Sequence, residues 1–194
     1  DQDNLQPRLE VVTEAEAIKA AVKRYGLLES QGWKGKEGTA IHPDNEQGRF
    51  YSDVLLGFAK ANQAAVYELY FNDQLASTEL AIASDYMLIT LKITYDETLS
   101  KYAPGRILDY LLLEREFAEK RYSVVEYYTN ASRDQLSWAT GQRPISHQAL
   151  YRNAAMQRLH LGYQQVKNRF AKADSEEQPE DQPPATNSVP QTSS

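Results

Sequence analysis

Between Ala64 and Tyr95 the chain holds three runs rich in aromatic and β-branched residues, Ala64 to Phe71, Leu75 to Ala83 and Met87 to Tyr95. Runs of this composition read as strands. The breaks between them carry turn chemistry, Asn72 with Asp73 and Ser84 with Asp85, so the three strands are expected to form an antiparallel meander. A chain with such a segment at its centre must place the rest of its apolar residues against a sheet.

The flanking segments switch to helical spacing. Thr13 and Glu16 form a capping box ahead of Ile18, Ala21, Val22, Tyr25 and Leu28, which predicts a helix from Glu14 to Leu28. A polar loop with Gly32, Trp33, Lys34, Gly35 and Gly38 follows. Phe50, Val54, Leu55, Phe58 and Ala61 then share one side of a second helix, from Gln47 to Asn62. After the meander, Pro104 opens a helix with Ile107, Leu108, Leu111, Leu112 and Ala118 facing inward. A strand is expected over Ser123 to Tyr128, a short helix over Asp134 to Trp138, a strand over Ile145 to Tyr151 and a final helix over Ala154 to Ala171. That last helix carries Met156, Leu159, Tyr163, Val166 and Phe170 as a packing face. The order is an α+β plan in which helices cover a mixed, mainly antiparallel sheet.

The 194 residues, 41% of them hydrophobic, suffice for one core and a tail. Ala173 to Ser194 holds Glu, Gln, Pro, Ser and Thr with almost no large apolar residue, so a disordered tail is expected after a folded domain over 1–172. The start at Asp1, with no methionine and no basic, apolar leader, reads as an excerpt or a processed piece. No apolar run approaches the roughly 20 residues of a membrane span, which makes a soluble domain the expectation. The absence of cysteine excludes disulfides and thiolate chemistry and fits a reducing, cytoplasmic compartment.

Of the net charge of −6, five units sit in the tail, in Asp174, Glu176, Glu177, Glu180 and Asp181. The folded part is nearly neutral and its Lys and Arg are scattered, which argues against nucleic acid as a partner. His42, His147 and His160 lack metal-ligand spacing, so no metal is expected. Serine elbow, Walker loop and dinucleotide fingerprint are all missing.

Three stretches carry a family resemblance. Glu29 to Gly35 with Gly38 to Ile41 and Phe50-Tyr51 is the first. Lys92 to Glu97, leading into Tyr102 to Leu108, is the second. Glu126 to Trp138 is the third. Together they resemble the C-terminal portion of the CelD/BcsL polysaccharide-biosynthesis acetyltransferases, whose fold is that of GNAT acyl-CoA N-acyltransferases. The resemblance spans about residues 29 to 152. It implies transfer of an acyl group, acetyl first among candidates, from a CoA thioester to the amine of a sugar or similar small molecule.

It also implies a set of site residues. The donor's pantetheine arm would lie between the fourth and fifth strands of the GNAT core, along Leu91 to Tyr95, with Ile93 and Thr94 in contact, and along Val124 to Tyr128. Its phosphates would meet the helix tip formed by Lys101, Gly105, Arg106, Ile107 and Leu108, where free amides and the helix dipole favour an anion. Lys101 matches the first position of the family's phosphate loop, whereas Pro104 and Arg106 stand where small residues are usual. An ordinary proline-glycine helix start accounts for the same residues. For the acceptor's proton, Glu126 is the foremost candidate, since an acid among apolar strand neighbours is either paired or raised in pKa. Glu79, Asp96 and Glu97 are the other acids on or beside these strands, and Tyr95, Tyr127 or Tyr128 could protonate the leaving thiolate. Trp33 and Lys34 in the glycine-rich loop, and Trp138, could line the acceptor pocket, although each tryptophan serves equally as a core plug.

Two other readings stay open. The substituted phosphate loop and the start at Asp1 suit an inactive GNAT-like half packed on a missing N-terminal lobe. A FemAB-like aminoacyl transferase has a related fold, but the near-neutral charge disfavours a tRNA donor.

Overall fold

The computed structural model describes residues 5–38, 40–42, 44–128, 133–144, 146 and 149–164. The chain divides into two compact units, Asp1–Thr140 and Gly141–Ser194.

In the first unit a five-stranded sheet runs in sequence order, β1 (Pro7–Val12), β2 (Ala64–Phe71), β3 (Gln74–Ala83), β4 (Met87–Tyr95) and β5 (Val124–Tyr127). β1 to β4 are antiparallel neighbours, and β5 joins β4 in parallel. A parallel pair needs a crossover. Here it consists of a 3-10 turn, Glu97–Tyr102, and the helix α4, Pro104–Glu119. Ahead of β2 lie α1 (Ala15–Gln31), the single turn α2 (Trp33–Lys36) and α3 (Glu46–Ala59), and α5 (Arg133–Trp138) follows β5.

β2 alternates its side chains between two cores, which is why it reads as a continuous apolar run. On one face Ile18, Ala21, Val22 and Tyr25 of α1 meet Leu55 and Ala59 of α3 over Ala64, Val66 and Leu80. On the other, Leu108 and Leu112 of α4 pack on Ala65, Tyr67, Leu69, Ala81 and Leu88. The α+β plan expected from the pattern, helices covering a mixed, mainly antiparallel sheet, is the plan observed.

Several local expectations change. β1 was not anticipated. It pairs with β2 over its whole length, to Val12; the helix opens at Ala15, so Thr13 stands one residue before the cap and the Thr13–Glu16 capping box is out of register. Glu14 takes the cap position without a side-chain cap, and its carbonyl accepts the amides of Ala17 and Ile18. α3 starts one residue early because the Asn45 side chain accepts the Gly48 amide at 2.8 Å. Its inner face is Gly48, Leu55 and Ala59, while Phe50, Phe58 and Ala61 lie exposed. Leu55 and the small Ala59 provide the side on which α3 meets α1, its main partner. On α4 the buried line is Pro104, Leu108, Leu112 and Glu116, at four-residue steps, and Ala118 is exposed.

In the second unit the described residues form one helix, 154–164, capped by Asn153 accepting the Met156 amide at 3.0 Å. The Tyr151 and His160 rings meet at a tilt of 50°, with centroids 5.5 Å apart. Met156, Leu159 and Tyr163, expected to pack, are exposed. Residues 146 and 149–151 are outside any strand. Ile145, His147 and Gln148 of the expected strand, the end of the expected helix with Val166 and Phe170, and the tail all lie outside the described residues, as does the expected domain boundary at 172. No helix among the described residues is long and apolar enough to cross a membrane.

Candidate active site

The sheet opens at one place. β4 pairs with β3 from Leu88 to Tyr95, but with β5 only from Met87 to Thr90, ending at Thr90 opposite Tyr127. The last cross-strand bond is the Tyr128 amide to the Thr90 carbonyl, 3.3 Å. Immediately afterwards the β3 register shifts, so that Leu91 is an extra residue in β4. A bulge bends its strand and changes its twist. From Leu91 onward, among the described residues, β4 has β3 on one side and no strand on the other, which makes a fork between β4 and β5.

The backbone direction inside the fork follows from two bonds. The Thr94 carbonyl accepts the Ser77 hydroxyl at 2.9 Å, and the Asp96 amide donates to the Ala76 carbonyl at 2.9 Å. Thr94 and Asp96 therefore face β3. Backbone groups alternate along a strand, so Ile93 and Tyr95 present theirs to the open side.

The tip of α4 sits at that side. A Cβ built on Gly105 would lie 3.8 Å from Ile93 Cδ1 and 3.9 Å from Tyr95 Cδ1. Ala103 turns the chain into the helix with a left-handed φ of 51°. Its carbonyl accepts the amides of Arg106 and Ile107 at 3.0 and 3.2 Å. Pro104 has no amide hydrogen, so among these described first-turn residues Gly105 keeps the amide with no internal acceptor. The free tip is narrower than the four amides, Gly105 to Leu108, anticipated from the sequence.

The family profile described as an acetyltransferase (GNAT) domain matches residues 2–136, which contain the fork and the helix tip. The chain belongs to that family. The solved structure of the aminoglycoside acetyltransferase meta-AAC0020 from an uncultured soil metagenomic sample, in complex with sisomicin, is similar in fold. Its TM-score is 0.53 at 10% identity, over 79% of this chain and 100% of that one. The same enzyme in complex with trehalose gives 0.50 at 9% identity, over 76% and 97%. At such identities the likeness is one of fold. No curated protein matches the chain.

As a GNAT domain the chain is an acetyltransferase with acetyl-CoA as donor. Its residues fit that donor in two respects. The free backbone of Ile93 and Tyr95 can pair with an amide-bearing arm as a further strand would, and the Gly105 amide stands at a helix N-terminus where an anion is favoured. Among the described residues no group of three or more metal-ligating side chains is arranged around a metal position.

The site residues named from the sequence fall into several places in this GNAT domain. Ile93 borders the fork, whereas Thr94 is turned to β3. Gly105 and the exposed Arg106 stand at the α4 tip, and the Lys101 ammonium lies over the Tyr102 ring at 4.5 Å. Leu108 is fully buried in the core with Ile107 beside it, so their side chains pack. Glu126 and Tyr128 are at the end of β5. Val125 belongs to the α4-side core, so strand alternation puts Glu126 on the α1 face. Glu97 and Trp33 come together, the Trp33 amide donating to Glu97 Oε1 at 2.8 Å. The Lys34 ammonium is held by the buried carboxylate of Glu29 at 2.6 Å. Trp138 lies edge-on to Tyr110 of α4, with centroids 6.5 Å apart.

Two acids at the root of the fork gave no joint signal in the sequence. Glu79 of β3 and Asp109 of α4 face each other with the Thr90 hydroxyl beside them. Burial, then the Asp109 charge, holds Glu79 well above the ordinary carboxylate range. Burial pushes Asp109 up to about 6. Burial, then the same two acids, keeps the nearby Tyr127 hydroxyl protonated. Asp109 reads in the sequence as an interruption of an apolar run, and a lone Glu on a strand does not disclose its face.

Proposed function

We propose that the chain transfers the acetyl group of acetyl-CoA to the amine of a small, sugar-like acceptor. The observation that carries this reading is the fork: β4 leaves β5 after Thr90 and offers Ile93 and Tyr95 backbone beside the Gly105 amide. When bound, acetyl-CoA supplies an activated thioester. The chain's own residues supply alignment and proton transfer. Ile93 and Tyr95 orient the arm, and the Gly105 amide with the cations of Lys101 and Arg106 holds phosphate. Glu126, or Glu97 beside Trp33, accepts the proton of the attacking amine, and Tyr128 returns one to the departing sulfur. Trp33, Lys34 and Trp138 border the acceptor in this reading.

An amino-sugar acceptor agrees with the sisomicin complex of the structural relative. Placement in a bacterial envelope-polysaccharide pathway, in the cytoplasm, rests on the CelD/BcsL resemblance.

Calorimetry and thermal shift with acetyl-CoA test this reading, because a ligand of the native state alone raises Tm. Binding that Arg106→Glu abolishes, together with CoA release in the presence of amino sugars, supports the transferase. No binding at millimolar donor overturns it.

A further inference from the structure

Four glutamates are buried in the described core, Glu29, Glu68, Glu79 and Glu116. Three of them have a cation and a tyrosine hydroxyl. Glu29 takes Lys34 at 2.6 Å and Tyr25 at 3.0 Å. Glu68 takes Arg24 through two bonds of 2.8 Å and Tyr70 at 3.1 Å. Glu116 takes Arg121 at 2.6 Å and Tyr67 at 2.8 Å. Glu79, 3% exposed, has neither, and its Oε2 has no hydrogen-bond partner. What faces it is a second acid.

The position of this exception matters. Glu79 pairs across the sheet with Ile93, the residue that borders the fork and touches the α4 tip. Thr90, beside the Glu79 carboxyl, is the last β4 residue paired to β5. Asp109 is in the second turn of α4. The two carboxyls thus join β3, β4 and α4 where the sheet divides. We propose that Glu79 and Asp109 hold one proton between them, and that this proton seats the first turns of α4 at the root of the fork, making both acids positioning residues for the donor site.

The physical reason is that two facing carboxylates, Glu79 buried and Asp109 half-buried, resist ionising together, so the pair titrates as a unit. The described tyrosines nearest this face do not neutralise Glu79. Tyr127 from β5 is protonated, Tyr67 from β2 donates to Glu116, and Tyr25 from α1 donates to Glu29. Among the described residues no lysine or arginine acts on Glu79. When the shared proton leaves to solvent, two like charges face each other across the α4–sheet contact. The added charge also opposes an anionic donor at the helix tip. Both effects weaken donor binding as pH rises.

This inference rests on the fork being the donor site, and the test separates the two. Acetyl-CoA affinity is measured by calorimetry from about pH 6 to about pH 9 on the full chain and on Glu79→Gln, which keeps the shape and cannot ionise. A one-unit change in the pair's pKa on binding corresponds to about a tenfold change in affinity. The expected result is a wild-type Kd weaker by roughly that factor at the alkaline end and a flat profile for Glu79→Gln, with Asp109→Asn behaving alike. Parallel profiles for all three overturn the proposal. If no protein binds acetyl-CoA at any pH, the transferase reading fails and stability decides the pair. Wild type should then lose Tm between about pH 5 and about pH 9 while Glu79→Gln does not, and equal slopes overturn the shared proton. Infrared detection of a protonated carboxyl band at neutral pH, absent in Glu79→Gln, is the readout that a packing role alone does not move.

Discussion

The Trp33 amide donates to the Glu97 carboxylate at 2.8 Å, which ties the α1–α2 junction to the turn that follows β4. The junction is tight elsewhere too. Gly35 donates to the Gly32 carbonyl at 3.1 Å, and a Cβ added to Gly35 would overlap the Ser30 carbonyl, a backbone atom that cannot swing aside. Gly35→Ala is therefore expected to cost about 1–3 kcal/mol by overpacking. Gly57→Ala is the matched control, since nothing lies within 4 Å of its Cβ position. It lies in the α3 helix, where Ala is favoured by roughly 0.5–1 kcal/mol. Urea denaturation of both variants checks the pair, and a Gly35→Ala protein as stable as Gly57→Ala contradicts the tight junction.

Arg24 grips Glu68 through both carboxylate oxygens, and Glu68 is fully buried while Arg24 is 40% exposed at its side chain. Removing the cation leaves a buried charge, for which a loss of about 3–5 kcal/mol is typical, reduced here because water can reach the vacated position. Arg24→Ala should cost about 2 kcal/mol. The double variant Arg24→Met with Glu68→Leu should cost less than that, because no charge remains buried. A double variant worse than the single one would show that the ion pair has a stabilising role beyond neutralising Glu68.

Much of this architecture is legible in the residues, and the exceptions have definite causes. β2 and β4 match their expected bounds because aromatic and β-branched residues fill them and polar turns close them. β1 is hidden because only Leu9 and Val11 alternate inward between charged neighbours, too short a signal without its partner strand. Of the stripe expected on α3, Phe50, Val54, Leu55, Phe58 and Ala61, Leu55 is fully buried, and the small residues Gly48 and Ala59 are buried where Phe50 and Phe58 are not. The fork has no residue signature: it is a break in pairing after Thr90 with a bulge at Leu91, both decided by tertiary structure. The Glu79–Asp109 pair is illegible for the same reason, since two acids on different elements become one titrating unit only when the helix is docked.

Asp96 gives a pH dependence opposite in sign to that pair. Its Oδ1 accepts the Thr98 amide at 2.9 Å and hydroxyl at 2.6 Å, and its Oδ2 accepts Gln74 at 2.8 Å. Burial pushes this carboxyl up, but the three hydrogen bonds outweigh it and hold Asp96 below its usual value. A depressed folded pKa contributes stability above the unfolded pKa, near 3.9, and loses it as pH falls through the folded value. Asp96→Asn should lower Tm at neutral pH, with the difference closing below about pH 4. A Tm difference that stays constant down to the acid transition would assign the loss to turn geometry instead of charge.

Gly105 offers the most direct separation of folding from donor binding. Its Cβ position lies 3.8 Å from Ile93 and 3.9 Å from Tyr95, ordinary contacts that require no movement, and its backbone is outside the left-handed region. Ala at an early helix position carries no conformational cost and restricts the unfolded chain. Gly105→Ala should therefore keep or slightly raise Tm, by up to about 1 kcal/mol in stability. The new methyl, however, stands between the free helix-tip amide and the open edge of β4. If the donor lies along that edge with its phosphates at the tip, it must shift, and the Kd for acetyl-CoA should rise about tenfold, equivalent to losing one good hydrogen bond to a charged group. Calorimetry at neutral pH with Tm recorded in parallel decides the matter. Unchanged donor affinity in a protein of unchanged stability would remove Gly105 from the donor site and, with it, the alignment of the arm along Ile93 and Tyr95.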